Sequence, residues 1–221
     1  MTRYALISDI HSNHVALLAV LREIDEQGVD SIVCAGDIVG YNSQPNEVIA
    51  ELRKRRIYCI RGNHDEAMLE PGGERLMNSL AAEAIRWNRE HTEGENRDFI
   101  SSLTTSITLD DMAVYHGSPF DSNEYIYADM VDEKLASKSG KWVTVLGHTH
   151  VPYVREVGGK MVVNPGSVGQ PRDGDARASY AILDGKECVI CRVVYDIEDV
   201  VRSNEAASLP QPLSERLRWG V

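Results

Sequence analysis

The sequence YALISDIH, residues 4–11, joins a short apolar run to an aspartate and a histidine that stand one residue apart. A short apolar run of this kind is typical of a buried β-strand. Two further apolar runs follow, and helix-like segments separate the three. This order predicts a mainly parallel sheet with helices packed on it. The predicted strands cover residues 4–8, 31–34 and 57–60, and the predicted helices cover about 13–27 and 45–55.

Strand-like runs dominate the second half of the chain, where Gly158-Gly159 and Asp184-Gly185 are typical of hairpin turns. We predict that all of these runs belong to a second sheet, antiparallel or mixed, and that a helix over about 128–137 separates two of them. The predicted strands cover residues 106–109, 112–115, 142–146, 153–157, 161–163, 179–183 and 187–195.

A charged, helix-prone segment lies between the two halves, at about 66–102. Leu76, Leu80, Ala84 and Trp87 follow one another at helical spacing, which predicts that they share one buried face. We predict a single domain over 1–202 that carries this segment as a helical insertion. A tail over 203–221 follows, for which docking on the body, contact with another subunit and fraying are all open.

The overall charge restricts the class of partner. The 221 residues include 34 acidic and 23 basic side chains, for a net charge of -11. Affinity for long nucleic acids depends on neutralising phosphates with Lys and Arg, so duplex DNA is not an expected ligand. The sequence shows no signal peptide and no run long enough to span a bilayer, which predicts a cytoplasmic protein without a membrane partner. A homo-oligomer is left open.

Metal-ligand chemistry occurs in five short motifs, most of which directly follow strand-like runs. Their carboxylate, amide and imidazole groups suit divalent Mn, Fe, Co, Ni or Zn rather than thiophilic ions. One carboxylate can bridge two ions that lie about 3.5 to 4 Å apart, and Asp37 is the best candidate because it ends the central strand. The motifs are Asp9-Ile10-His11, Gly36-Asp37, Gly62-Asn63-His64-Asp65, Tyr115-His116-Gly117 and Gly147-His148-Thr149-His150.

These motifs, in this order, resemble the calcineurin-like metallophosphoesterase superfamily over residues 1 to about 195, and in particular its small bacterial and archaeal phosphodiesterase-like branch. The resemblance implies an α/β fold, a four-layer α/β/β/α sandwich of two mixed sheets, with a dinuclear site at the strand ends. It also implies two divalent ions, with manganese favoured and Fe, Ni, Co or Zn as alternatives.

The resemblance further divides the ligands between the two ions. Asp9, His11 and His150 bind one ion, and Asp37 bridges to the other. The second ion takes its remaining ligands from Asn63, His116 and His148. The match at His116 rests on one residue, and a hydrogen-bonded turn histidine would be the ordinary interpretation if it stood alone.

His64 is assigned to catalysis instead of metal binding, because in the family the corresponding histidine stabilises charge on the phosphoryl or leaving oxygen. We predict that the adjacent Asp65 holds the imidazole in one tautomer and raises its pKa. Metal-activated water would attack phosphorus, and His64 would assist the phosphoryl or leaving oxygen. Two divalent ions outweigh the two ligand aspartates, so an acidic protein would present a cationic site to a phosphate ester.

The substrate contacts proposed from sequence are Asn13 and Tyr41, although Asn13 also suits a helix cap. The loop over 164–172 resembles one that lies near the site in the small members of the family, and its glycines also suit a turn. Serine/threonine protein phosphatases continue their Gly-Asp motif into Asp-Arg-Gly, whereas Gly40-Tyr41-Asn42 stands here.

The expected reaction is therefore hydrolysis of a small phosphodiester or phosphomonoester. A nuclease or dinucleotide hydrolase with the same site is an alternative. A scaffold that keeps the fold without the chemistry is an alternative of another class, although such proteins usually lack ligand histidines and none is missing here.

Overall fold

The computed structural model describes residues 2–221, which form two five-stranded sheets with helices on their outer faces. In the first sheet the three N-terminal strands are parallel. The last two strands of the chain follow in antiparallel order, one paired with β1 and the other with its own predecessor. From edge to edge this sheet contains β10 (Glu187–Val193), β9 (Ala178–Asp184), β1 (Arg3–Ile7), β2 (Ser31–Cys34) and β3 (Tyr58–Cys59).

The second sheet is also mixed. Its three central strands are parallel, and each edge strand is antiparallel to its neighbour. From edge to edge it contains β4 (Ser106–Leu109), β5 (Met112–Tyr115), β6 (Val143–Val145), β8 (Lys160–Asn164) and β7 (Tyr153–Val157).

Most helices pack on the first sheet, and a short one packs on the second. The helices are α1 (His14–Gln27), α2 (Pro45–Arg55), α3 (Asn63–Leu69), α4 (Ser79–His91), α5 (Gly94–Ser102), α6 (Glu133–Ser137), α7 (Ile197–Ala206) and α8 (Gln211–Trp219). Two single 3₁₀ turns occur at Gly73–Leu76 and Ala128–Met130, so the segment predicted as one helix over about 128–137 is a 3₁₀ turn followed by α6.

The alternation of side chains along β1 shows how the layers are held together. Ala5 and Ile7 face the helices of the first layer, whereas Tyr4 and Leu6 pack between the two sheets. Successive residues of a strand point to opposite faces, so a central strand with four apolar residues needs cover on both sides. The α/β/β/α sandwich predicted from the family resemblance is confirmed.

The ends of α1 agree with the local sequence. The Asn13 side chain accepts a hydrogen bond from the amide of Ala16, which satisfies one of the free donors of the first turn. Gly28 ends the helix with φ 64°, a left-handed conformation that glycine adopts without a Cβ penalty.

The assignment of β9 and β10 to the second sheet is wrong. The chain returns to the first sheet, where β9 pairs with the free edge of β1 and β10 pairs with β9. All residues of β9 except Asp184 are buried, because one face meets the helices and the other meets the second sheet. A strand buried on both faces carries no pattern that identifies its neighbour.

The helical insertion is present as α3, the 3₁₀ turn Gly73–Leu76, α4 and α5. The prediction that Leu76 shares the buried face is wrong, because the side chain is fully exposed at 101% of its reference area. Leu76 ends the 3₁₀ turn before α4 begins, so it does not follow the periodicity of that helix.

The C-terminal segment docks on the body. The predicted boundary between domain and tail, at 202 and 203, falls inside α7. Leu217 of α8 packs in the core between the first sheet and its helices. Leu213 of α8 instead contacts a small apolar cluster that contains Tyr41 and Ala81 of α4. Among the described residues, 2–221, no helix combines the length and the apolar character needed to cross a bilayer.

Candidate metal centre

The side chains predicted as metal ligands meet where parallel strands of both sheets end. Asp9 and His11 follow β1, Asp37 follows β2, and His116 follows β5. His148 and His150 follow β6, and Asn63 is the first residue of α3 after β3. Parallel strands place their carboxyl ends at one edge of a sheet, so facing sheets bring these residues together.

The backbone at this edge is strained. Asp9, His11, Asp37, His148 and His150 all have positive φ, between 49° and 68°. Each such conformation in a residue other than glycine costs of order 1–3 kcal/mol and persists only where its surroundings hold it. Here the amides of Asp9 and His11 donate to the carbonyls of Gly36 and Asp37, at 3.0 Å each. The loop after β2 therefore holds the loop after β1 in this conformation.

One group of possible ligands consists of Asp9, His11 and His150, all of them buried. Nδ1 of His11 lies 3.1 Å from the carbonyl oxygen of Val39, and Nδ1 of His150 lies 2.6 Å from that of Gln170. A carbonyl only accepts, so both Nδ1 atoms carry a hydrogen and each neutral ring has its lone pair on Nε2.

Those two Nε2 atoms face each other at 3.1 Å. Burial holds the pKa of both His11 and His150 well below the ordinary value, so both rings are neutral. Two lone pairs at this separation repel unless a cation binds them, and an Asp9 oxygen lies 3.4 Å from Nε2 of His150. This donor set fits a divalent ion of intermediate hardness.

A second group consists of Asp37, His116 and His148. Nε2 of His116 lies 3.2 Å from Nδ1 of His148 and 3.0 Å from the amide oxygen of Asn63. Nδ1 of His116 lies 2.8 Å from the carbonyl oxygen of Ala35, so Nδ1 carries a hydrogen and Nε2 is the nitrogen that faces the second group. The residues that the family resemblance assigns to the second ion therefore meet at one point.

Asp37 lies between the two groups. One of its oxygens is 3.2 Å from Nε2 of His116 and 3.7 Å from Nε2 of His11, and the other accepts from the amide of His64. Burial opposes ionisation of Asp37, but His116, His64 and His11 outweigh it, and its pKa lies well below the usual range. Burial alone would lower the pKa of His116, whereas Asp37 raises it to about 10.

Metal affinity is expected to fall as the pH falls. Without metal, His116 carries a proton below about pH 10, and Asp9, whose pKa burial raises to about 7, carries one below that value. A metal binds only the deprotonated forms, so it displaces one proton from His116 at pH 8 and a second from Asp9 in more acidic solution. The apparent affinity for Mn²⁺ should drop about tenfold per pH unit above pH 7 and more steeply below it.

Calorimetric titration of Mn²⁺ in two buffers with different ionisation enthalpies measures these protons directly. About one proton should be released per chain at pH 8 and more at pH 6. Binding that releases no proton at either pH would show that His116 and Asp9 are not ligands.

Asp65 lies at the site but does not contact the His64 imidazole, so its predicted role in holding that ring is wrong. Its carboxylate accepts hydrogen bonds from the amides of Ile38, Val39 and Gly62, at 2.9 to 3.0 Å. Asp65 therefore links the loop after β2 to the loop after β3, behind the metal groups. Burial, with no carboxylate partner for the ring, lowers the pKa of His64 to about 4 instead of raising it.

His64 packs against His11, one of the two histidines of the first group, and against Gly40. Its ring centre lies 4.7 Å from that of His11, and its Nδ1 is buried with no hydrogen-bond partner among residues 2–221. A Cβ at Gly40, which has φ 106°, would stand 2.5 Å from this Nδ1. The small size of Gly40 thus sets the position of the imidazole.

Replacing Gly40 by alanine is expected to displace His64 and lower turnover by about 10²-fold, the usual effect of moving a catalytic group by roughly 1 Å. Metal content should change little, because the same methyl group would lie 3.3 Å from Nδ1 of the predicted ligand His11, a contact that a shift of a few tenths of an ångström relieves. Gly94→Ala is the control, since a methyl group at Gly94 would meet no atom within 4 Å. Wild-type turnover in Gly40→Ala would show that the position of His64 does not matter.

The two predicted substrate contacts differ in their surroundings. Asn13 is fully buried, and its amide is used by the helix cap and by a bond to the carbonyl of Gly169, so a substrate contact there is wrong. Tyr41 packs edge-on against His11 with ring centres 4.6 Å apart, and it reaches the open side of the site.

A cleft of about 530 Å³ opens onto the metal groups, and we call it the substrate cleft. The helical insertion forms one wall and the loop after β5 forms the other. On that second wall the Tyr125 ring packs on the His148 ring, with ring centres 3.9 Å apart. The cleft is lined by Tyr41, Asn63, His64, Glu66, Ala67, Glu70, Gly73, Leu76, Met77, Asn78, Ala81, Asn123, Tyr125 and His148.

Sequence reasoning missed the groups that orient the ligands. The carbonyls of Val39, Ala35 and Gln170 have no signature in residue type, because any residue supplies a carbonyl. Arg172 was also missed: its side chain bonds to Tyr41, and only its position in the 164–172 loop indicated proximity to the site.

The chain matches the calcineurin-like phosphoesterase superfamily domain over residues 2–187. It is 37% identical to an uncharacterised protein of Methanocaldococcus jannaschii, covering 98% of this chain and 97% of that protein. It is 24% identical to Phosphodiesterase YfcE of Escherichia coli, covering 96% and 97%. A crystal structure of a metallophosphoesterase from Sphaerobacter thermophilus is similar with a TM-score of 0.84 at 35% identity, covering 100% and 99%. The chain belongs to the calcineurin-like phosphoesterase superfamily and is a metal-dependent phosphoester hydrolase.

Proposed function

We propose that the protein hydrolyses a small phosphodiester at a centre of two divalent ions. The observation that carries this proposal is the position of Asp37, whose carboxylate lies within 3.7 Å of a histidine from each of the two ligand groups. A shared carboxylate between two sets of imidazole donors is the arrangement that two-metal hydrolases require.

Asp9, His11 and His150 would hold one ion, and Asn63, His116 and His148 the other, with Asp37 shared. Manganese is the metal that the family resemblance favours. The carboxylate, amide and imidazole donors, which occur here without a thiolate, also suit Fe, Ni, Co and Zn. When bound, the ions would polarise the phosphate and activate water for attack on phosphorus.

His64 would act as a hydrogen-bond donor to the phosphoryl or leaving oxygen. Its Nδ1 is buried, so the other ring nitrogen is the one that reaches the substrate cleft. With a pKa of about 4, set by burial, the ring is neutral near pH 7 and carries one hydrogen that it can share with developing charge. This favours charge stabilisation over full proton transfer at the leaving group.

The substrate cleft favours a diester with an uncharged leaving group. Glu66 and Glu70 stand on its wall, and no Lys or Arg is among its lining residues. A second phosphate or a polyanion would meet repulsion there, whereas a diester brings a single charge to the ions. YfcE, named as a phosphodiesterase, supports the same choice. The net charge of -11 also disfavours a long nucleic acid, so a nuclease is the less favoured alternative.

Steady-state assays with bis-p-nitrophenyl phosphate and p-nitrophenyl phosphate test the proposal on Mn²⁺-loaded protein. The diester should be hydrolysed with the higher kcat/KM. A panel of cyclic nucleotides and dinucleotides then identifies the natural leaving group. Preference for the monoester would contradict the diester assignment, and preference for dinucleotides would support the dinucleotide hydrolase alternative.

A scaffold without chemistry is the alternative from another class. It would bind fewer than two ions under saturating Mn²⁺ and hydrolyse neither ester. The complete set of seven predicted ligand side chains, brought together as two groups, favours the enzyme.

A further inference from the structure

The Tyr41 hydroxyl lies at the edge of the metal centre with an unusual partner. The side chain is only 4% exposed, and its ring contacts His11 and His64 with centres 4.6 and 4.7 Å apart. The hydroxyl accepts a hydrogen bond of 2.9 Å from Nη2 of Arg172. The phenol is thus held between a cation and the imidazoles of the site.

Arg172 is fixed to the same metal group. Its amide lies 3.3 Å from the carbonyl of His150, and the carbonyl of Gln170 accepts from Nδ1 of His150. Nη2 of Arg172 also reaches the side-chain oxygen of Gln170 at 3.3 Å. The loop that orients a metal ligand therefore also positions this guanidinium.

The guanidinium of Arg172 has no close anionic partner in the described part of the chain. Within residues 2–221 no carboxylate lies within 4.0 Å of it, and its Nε is buried without a partner. Arg177 and Arg192 in the same region are paired with aspartates, whereas Arg216 has no aspartate or glutamate partner among the described residues and donates from Nε to Val221. An unpaired, half-buried guanidinium beside a metal centre favours an anion from outside the chain.

The Tyr41 hydroxyl has one proton and has already accepted a bond from Arg172. Its own hydrogen has no acceptor among residues 2–221, because Arg172 is its sole hydrogen-bond partner there. The Tyr41 side chain lines the substrate cleft, so this donor is available to a ligand there, and donation from Arg172 makes the phenol a stronger donor in turn. An incoming oxyanion would accept the hydroxyl hydrogen, and its charge would offset the nearby charge of Arg172.

We propose that Tyr41 donates a hydrogen bond to a non-bridging oxygen of the bound phosphoryl group, and that Arg172 is the positioning residue that orients the hydroxyl for this purpose. This inference rests on the proposed function, since it concerns the same phosphate. It assigns to Arg172 a part in phosphate recognition that does not depend on direct contact with substrate.

The test measures binding of inorganic phosphate to the Mn²⁺-loaded protein by calorimetry, together with kcat and KM for bis-p-nitrophenyl phosphate. The variants are Tyr41→Phe, Arg172→Met and the double variant. Arg216→Met is the matched control: its guanidinium lies 5.8 Å from the same ring, against 5.6 Å for Arg172, but its Nε donates to the carbonyl of Val221.

Each single variant is expected to bind phosphate about tenfold to a hundredfold more weakly, as for loss of one hydrogen bond to an anion. The double variant should be no weaker than Tyr41→Phe, because Arg172 acts through the hydroxyl. Arg172→Lys should recover part of the affinity, and Arg216→Met should stay within about twofold of wild type. Mn²⁺ content should be the same in all.

Phosphate affinity that is unchanged in Tyr41→Phe, or losses that add in the double variant, would overturn this inference while leaving the hydrolase activity intact. A wild-type protein that neither binds phosphate nor hydrolyses the diester would overturn the proposed function and this inference together.

Discussion

Alanine in place of His64 is expected to leave the metal content unchanged and to lower turnover of a phosphodiester by about 10² to 10⁴, the usual contribution of a group that transfers or shares a proton. The reason is geometric. The ring contacts His11 and lines the substrate cleft, while both ligand groups can be completed without it. Metal analysis and steady-state kinetics on the same preparation measure the two effects.

The appropriate control is His91→Ala. His91 is exposed and stacks on Trp87 at 4.0 Å, at the C-terminal end of α4. This variant should keep wild-type kcat/KM. If His64→Ala instead lost an ion, His64 would be a ligand, as its proximity to Asp37 and His11 also permits. If it kept full activity, the catalytic assignment would be refuted.

Asparagine in place of Asp37 is expected to have the other large effect. In the proposed two-metal centre the shared carboxylate would be replaced by a neutral amide. Both ions would lose its charge, and the expected loss of several kcal/mol of transition-state stabilisation is about 10³-fold or more in kcat. In the metal-free protein His116 loses the partner that raises its pKa to about 10, so that pKa should fall.

Metal content by elemental analysis and the titration of His116 by NMR in metal-free protein check the two parts. Asp129→Asn, which removes an exposed carboxylate without changing the ligand groups, is the control for charge. An Asp37→Asn protein that holds two ions with unchanged affinity would rule out the shared position. A His116 pKa that does not fall would rule out the pairing with Asp37.

The meeting of the predicted ligand side chains at one place could be anticipated from sequence, because their types and order carry the information. Asp9, His11 and Asp37 each follow a strand by a few residues, and parallel strands end at one edge. The role of Asp65 could not be predicted in the same way. Its carboxylate bonds to three backbone amides, and no residue type indicates which amides a loop leaves free.

In the fold, too, some features could be predicted from residue type and others could not. Periodicity located most strands and helices, since it reports which faces are buried. It did not report that β9 pairs with β1, because a strand covered on both faces has no alternation to read. Exposure of Leu76 was missed for a related reason, as the turn Gly73–Leu76 precedes α4 and shifts the register of the apolar face.

Turnover of bis-p-nitrophenyl phosphate as a function of bound Mn²⁺ tests the two-metal proposal most directly. Metal-free protein is titrated with Mn²⁺, and bound metal and rate are measured at each point. The rate should keep rising until two ions are bound per chain and then stay constant. A rate that reaches its maximum with one ion bound, or a protein that binds two ions without hydrolysing the diester, would contradict it.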